Sequence, residues 1–239
     1  MDGVVTDTAR VHARCWKGVF DRYLRSLTQR TSAVVRPFDI EDYLDYVDGK
    51  PRQDGAQSFL TSRGIDLPLG APSDSPGFET VFGLANLKDS EFQQTIEHEG
   101  VTLFASTATF IHSLRSLGIR TALISSSRHT AMILATAGVT ELFDVVVDGI
   151  EADAMDLPGK PDPAIFLAAA LQLDALPSRT AVVEDALAGV EAGRRGGFCM
   201  VVGVDRTGHA DALRRHGADI VVADLSQLEL HQPIATELP

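Results

Sequence analysis

Basic residues are in short supply in this chain: 21 Lys and Arg face 33 Asp and Glu over 239 residues, a formal charge of −12. A surface of that sign repels polyanions, which argues against nucleic acid or an anionic membrane as a partner and leaves only a local basic site open. Cysteine is scarce too. Cys15 and Cys199 lack metal-type spacing and sit in apolar stretches, so buried free thiols in a reducing compartment are expected rather than a disulfide. Long hydrophobic runs are missing: none approaches the roughly 20 residues that span a bilayer, and no basic segment leads into an apolar one at the start. A cytoplasmic location without a membrane partner is the resulting expectation. What remains, 44% hydrophobic and 23% charged residues, is ordinary for a globular protein with one medium domain and a smaller insert.

Two grammars divide the chain. After Thr8, the apolar residues Val11, Cys15, Val19, Tyr23 and Leu27 recur every fourth position with Phe20 and Leu24 beside them, the seam of an amphipathic helix. Arg36-Pro37 breaks it, and helical patterns follow around 39–46, 53–62 and 79–98, separated by Asp48-Gly49-Lys50-Pro51 and the Gly/Pro/Ser-rich stretch 64–77. From Val101, apolar runs of strand length (121–124, 143–147, 180–183, 200–202 and 219–222) alternate with helix-length segments at 106–117, 129–138, 162–173, 187–195 and 209–216. The spacing predicts an α/β fold, a Rossmann-like parallel sheet covered on both faces, with residues 1–8 and 101–239 as the core domain and 9–100 as an inserted all-helical cap domain. The tail after Leu230 is expected to fray.

A parallel α/β sheet binds its ligand beyond the carboxyl ends of its strands. Ser125 ends one apolar run, Asp148 the next and Glu184-Asp185 the third, with Lys160 on the loop opening a helix. Phosphoryl transfer needs charge neutralised on the phosphate oxygens and a carboxylate to handle the alcohol's proton. Adjacent buried acids such as Glu184-Asp185 suit a hard cation, Mg²⁺ above all, though each alone reads equally as an acid at a helix N-terminus. Lys160, held in Gly159-Lys160-Pro161-Asp162-Pro163, can meet a phosphate oxygen or be merely solvated; Ser125 can bind phosphate or cap a helix.

In their order along the chain these residues resemble the four motifs of the haloacid dehalogenase (HAD) superfamily, and over essentially the whole chain they resemble its β-phosphoglucomutase branch. The opening Asp2-Gly3-Val4-Val5-Thr6-Asp7-Thr8 is similar to D-x-D-G-V-x-x-D-T, in which the first Asp is the phosphoryl-accepting nucleophile and the second the general acid/base. Asp2 matches the second and also lends its carbonyl to Mg²⁺. The position of the first falls before Met1, so an upstream in-frame strand ending in Asp is expected; the competing reading is a chain that has lost its nucleophile. The resemblance implies that Ser125 binds phosphate, that Lys160 is the motif lysine, and that Glu184 and Asp185 are metal carboxylates. It places Thr8 at the hinge of the cap, gives His12 a part in coupling cap closure to acid/base chemistry, and brings Trp16 in with the same opening. Gly49 and Arg52 resemble the cap loop whose arginine grips the second, non-transferring phosphate. Lys88 falls where a cap lysine reaches the substrate, and Ser126, Ser127 and Arg128 where the core contacts sugar and phosphate. Asp48 where lysine is common, Arg128 for lysine and Gly55 for serine depart from the pattern. Without the motifs, His12 and Trp16 would read as packed side chains and Arg52 and Lys88 as solvated charges.

The activity so implied is interconversion of β-D-glucose 1-phosphate and glucose 6-phosphate through an aspartyl-phosphate and β-glucose 1,6-bisphosphate, with Mg²⁺ as cofactor. A small-molecule sugar phosphate is the expected partner, and a disaccharide phosphorylase the expected source of the β-anomer. The alternatives are a Mg²⁺-dependent HAD sugar-phosphate phosphatase and an inactive fragment without the nucleophile.

Overall fold

The computed structural model describes residues 1–31 and 35–230. Residues 1–7 form a tight loop in which Gly3 takes φ +68° and donates to the Thr6 carbonyl at 2.8 Å. Helix α1 (Thr8–Thr31) buries Val11, Cys15, Trp16, Val19, Phe20, Tyr23 and Leu24 along one face, the stripe set by the fourfold spacing. Helices α2 (Ile40–Tyr46), α3 (Arg52–Ser62) and α4 (Val81–Glu99) complete an all-helical segment. Its own core is aromatic: Phe20, Phe38 and Phe59 meet one another with ring centroids 4.3–5.0 Å apart.

Beyond α4 the chain alternates: α5 (Ala105–Ser116), β1 (Ala122–Ile124), α6 (Thr130–Ala137), β2 (Val145–Val147), α7 (Gly149–Ala154), α8 (Ala164–Gln172), β3 (Ala181–Glu184), α9 (Leu187–Arg195), β4 (Met200–Val204), α10 (Ala210–Arg215) and β5 (Ile220–Val222). All strand pairs are parallel, with Leu123 opposite Val146, Val182 opposite Val201 and Gly203 opposite Val221. This is the α/β architecture expected of the HAD core with a helical segment inserted before it.

Several expectations need correcting. Among the described residues the strands form two hydrogen-bonded sheets, β1-β2 and β3-β4-β5, rather than one. The opening loop sits where they would meet. The Met1 amino group donates to Ile124 O at 2.9 Å, at the end of β1, while a Cβ on Gly3 would lie 1.6 Å from Asp185 Oδ2, just after β3. Val4 and Val5 pack with Leu123, Val202 and Val204 beneath it. Asp148 does not face a ligand: its Oδ1 accepts the Ile150 and Glu151 amides and caps α7, a helix absent from the periodicity reading because it has only six residues. Cys15 is buried, but Cys199 is exposed, since β4 begins at the surface. The frayed tail after Leu230 concerns residues outside the described ones.

Candidate active site

A cavity of about 340 Å³ lies between the helical segment and the carboxyl ends of the strands. Of the residues singled out above, Asp2, His12, Gly49, Arg52, Lys88, Ser126, Ser127, Arg128, Lys160, Glu184 and Asp185 line it. Thr8, Ser125 and Trp16 do not. Thr8 and Ser125 instead hold Asp2: Thr8 Oγ1 donates to Asp2 Oδ1 at 2.5 Å, and Ser125 Oγ donates to Oδ2 at 3.2 Å. Trp16 is corrected from a substrate contact to a packed side chain, 3% exposed and stacked on Phe20 at 4.8 Å.

Asp2 is the electrostatic centre. Burial pushes its carboxyl up, but the His12 imidazole, the nearby amino terminus and the Thr8 hydroxyl outweigh that and hold it far below the usual carboxylate range. His12 Nε2 lies 3.4 Å from Asp2 Oδ1, and its Nδ1 lies 2.5 Å from Lys88 Nζ. An ammonium has no lone pair, so Nδ1 must accept and the ring proton sits on Nε2, facing Asp2. Burial and the Lys88 charge lower the His12 pKa, which keeps that imidazole neutral. Burial also brings Lys88 down to about 8. Its ammonium rests over the Phe92 ring at 4.6 Å and the Trp16 ring at 5.7 Å, so Trp16 acts through Lys88.

At the strand ends Lys160 Nζ pairs with Glu184 Oε1, their side chains only 4% and 8% exposed. Glu184 Oε2 accepts the Asp185 and Ala186 amides at 3.1 and 3.4 Å. Against the push of burial, Lys160 keeps the Glu184 carboxyl below its ordinary value. Asp185 goes the other way, raised well above its usual range by burial and by Asp48 and Glu184 beside it. Burial, with Glu184 and Asp2 nearby, likewise pushes Asp48 up to about 6.

Among the described residues no three His, Cys, Asp or Glu side chains group closely enough to hold a metal by themselves. Two carboxylates do fit a cation that keeps several waters and takes phosphate oxygens, as Mg²⁺ does. Asp185, Glu184 and Asp48 concentrate negative charge beside the Asp2 loop, and the Asp185 carboxylate lies against the Gly3 backbone, next to the Asp2 carbonyl. Glu184 and Asp185, with that carbonyl, are the residues that would hold it.

The chain also places residues here that its motifs did not single out. His129 and Asp89 line the cavity and meet at 2.9 Å; His129 directly follows the Ser-Ser-Ser-Arg string and Asp89 follows Lys88, which was the available signal. Arg206, just past β4, donates from Nε to Gly3 O at 3.0 Å and from Nη1 to Ala223 O at 2.9 Å, its guanidinium 3.9 Å over the Phe104 ring. It braces the turn that carries Asp2. The strand-end rule applied to β4 points to it.

The family model of the haloacid dehalogenase-like hydrolases matches residues 1–197. The chain belongs to that family. Within it, the chain is similar to the β-phosphoglucomutase branch: it is 44% identical over 232 residues to a β-phosphoglucomutase of Mycobacterium bovis, covering 95% of this chain and 88% of that protein. A crystal structure of β-phosphoglucomutase from Clostridium difficile superposes with a TM-score of 0.72 at 22% identity, over 95% of this chain and 90% of that one, a likeness of fold. Over 127 residues the chain is also 40% identical to a trehalose-phosphate phosphatase of Mycobacterium leprae, spanning 52% of this chain and 28% of that protein.

Proposed function

We propose that this HAD protein is a Mg²⁺-dependent β-phosphoglucomutase, interconverting β-D-glucose 1-phosphate and glucose 6-phosphate through β-glucose 1,6-bisphosphate. The observation that carries the reading is a single cavity with cations on both walls: Lys160 and Arg128 from the strand side, Arg52 and Lys88 from the helical side. A mutase must grip both phosphates of its intermediate, whereas a phosphatase needs one grip. In this reading residues 9–100 act as a cap over a core of residues 1–8 and 101–239.

Asp2 would take the proton from the attacking sugar hydroxyl and return it to the leaving one. So strongly held an anion is a poor base, and its proton affinity rises only if Thr8 or His12 draws away. Both stand at the start of α1, which leads into the helical segment, so cap movement would tune the proton transfer. Lys160 and Arg128 would bind phosphate oxygens on the core side, and bound Mg²⁺ supplies charge neutralisation during transfer. The reaction belongs in the cytoplasm, with a disaccharide phosphorylase supplying the β-anomer; among the described residues no helix is long and apolar enough to cross a membrane.

A phosphatase with water in place of the sugar hydroxyl is the second reading, favoured by the likeness to trehalose-phosphate phosphatase. Incubation of the protein with β-glucose 1-phosphate and catalytic bisphosphate separates the two. Glucose 6-phosphate is expected; rapid release of inorganic phosphate without it rejects the mutase.

Mg²⁺ is expected to raise the unfolding midpoint, by about 2.7 kcal/mol in stability at a hundredfold excess over Kd. The pH sign follows from the carboxyls it would relieve. Between its ordinary 3.8 and about 6, Asp48 is ionised unfolded but protonated folded, so stability falls as pH rises through that window. The Mg²⁺ gain should therefore be larger at pH 7.5 than at pH 5 in thermal melts; equal midpoints with and without Mg²⁺ would count against the site.

A further inference from the structure

One carboxylate that the scheme above leaves unused ties the two walls of the cavity together. Asp89, on α4, holds two partners on a single oxygen: Oδ1 accepts from Arg52 Nη1 at 3.2 Å and from His129 Nε2 at 2.9 Å. The partners come from opposite sides. Arg52 opens α3 in the helical segment, and its other terminal nitrogen reaches Asn86 Oδ1 at 3.3 Å. His129 belongs to the strand side, where its amide donates to Ser127 Oγ at 3.1 Å and the Ser127 amide in turn donates to Ser125 Oγ at 3.1 Å. Ser125 is the hydroxyl that holds Asp2.

Residues 86, 89 and 93 fall three and four apart, on one face of α4. Asn86 and Asp89 steady the guanidinium. Asp89 and Gln93 meet the imidazole, the Gln93 amide lying 3.4 Å from both ring nitrogens. All three side chains are sheltered, 25% (Arg52), 22% (Asp89) and 15% (His129) exposed, so the contacts are screened less than surface ones. A long arginine side chain otherwise samples many rotamers, and gripping a phosphate would require it to order at that moment. Here its position is set in advance by an oxygen that is itself held from across the cavity.

We propose that Asp89 is a positioning residue that makes the grip of Arg52 on the non-transferring phosphate conditional on the contact between α4 and His129. The second-phosphate subsite is then assembled only when the helical segment is seated on the strand ends. The same chain of contacts, His129 to Ser127 to Ser125, reports that seating to the acid/base carboxylate. This rests on the reading of Arg52 as the second phosphate's ligand.

A double-mutant cycle on glucose 1,6-bisphosphate binding, measured by calorimetry, tests it. R52Q is expected to weaken binding about tenfold or more. In the otherwise native protein R52Q and H129Q, at residues bridged by Asp89, are expected to be non-multiplicative by roughly threefold or more, because breaking either contact frees the other. With D89A in the background their effects should simply multiply. D89N, which keeps an oxygen acceptor without the charge, should retain part of the coupling and carries the comparison if the alanine variant does not fold. If R52Q leaves bisphosphate affinity unchanged, the assignment of Arg52 falls and this inference with it. If R52Q weakens binding but the coupling to residue 129 is absent, or survives D89A at full size, only the role of Asp89 is overturned.

Discussion

Asp2→Asn is expected to slow phosphoryl transfer about 10²- to 10⁴-fold, the usual worth of a positioned general acid/base, while bisphosphate binding stays within about threefold. The substitution is nearly isosteric and leaves an oxygen to accept from Thr8 and an amide NH2 that can donate to the Ser125 hydroxyl, so the loop between Met1 and Thr6 should keep its shape. What it removes is a lone pair able to accept a proton at the sugar hydroxyl. The measurement is turnover of β-glucose 1-phosphate, alongside calorimetric binding. Unimpaired turnover would remove Asp2 from the proton-transfer role, and a collapse of binding would show that the variant had damaged the loop instead. Thr8→Val provides the complementary case. It deletes one hydrogen bond that holds the Asp2 carboxylate ionised, so the acid limb of the pH profile should move upward, because a group whose folded pKa is depressed regains protons earlier when that support is lost.

Lys160→Met is expected to cost about 3–5 kcal/mol of stability, more than its lost phosphate contact would suggest, because it strands a buried carboxylate. Glu184 is 6% exposed as a residue, and Lys160 Nζ is its ionic partner, itself resting 4.8 Å over the Phe166 ring. The two amide hydrogen bonds to its other oxygen do not replace a cation. Urea unfolding checks this, and K160M combined with E184Q should recover most of the loss by removing the charge left behind. The cost should be full near neutral pH. Glu184 is held below its ordinary 4.5, so the stability that Lys160 confers through it is present above that value and disappears as pH falls through the folded pKa. A loss of under about 1 kcal/mol, the range of exposed pairs, would mean that the pair is solvated and contributes little to the site.

These two residues also separate what could be read early from what could not. Lys160 stands in a proline-braced loop and Glu184 ends an apolar run, and both facts lie in the local string. That they neutralise one another does not, because they stand 24 positions apart and the pairing depends on where α8 carries the chain. Ser125 is a sharper instance. Its place after a strand suggested a phosphate ligand, yet its hydroxyl points to Asp2, 123 positions away, and it does not line the cavity. Trp16 looked like part of the substrate wall because it follows His12 one helix turn later on the same face, yet one turn further along it packs into the aromatic core while His12 reaches Asp2. Asp89 and His129 were marked only by standing next to Lys88 and to the serine string, and their meeting across the cavity gives that adjacency its meaning.

The amino-acid order by itself determined the helical stripe of α1, the apolar parallel strands, the run of helices that precedes them, and the positions of the acidic and basic motif residues. Those features arise from burial patterns a few residues long, which repeat with the geometry of one helix turn or one strand. The tertiary structure alone decided that the strands pair as two sheets around the Asp2 loop, that Arg206 braces Gly3 from 203 positions away, and which carboxyls keep their protons. Charge state depends on burial and on neighbours brought from elsewhere in the chain, so it exists only once the walls of the cavity have come together.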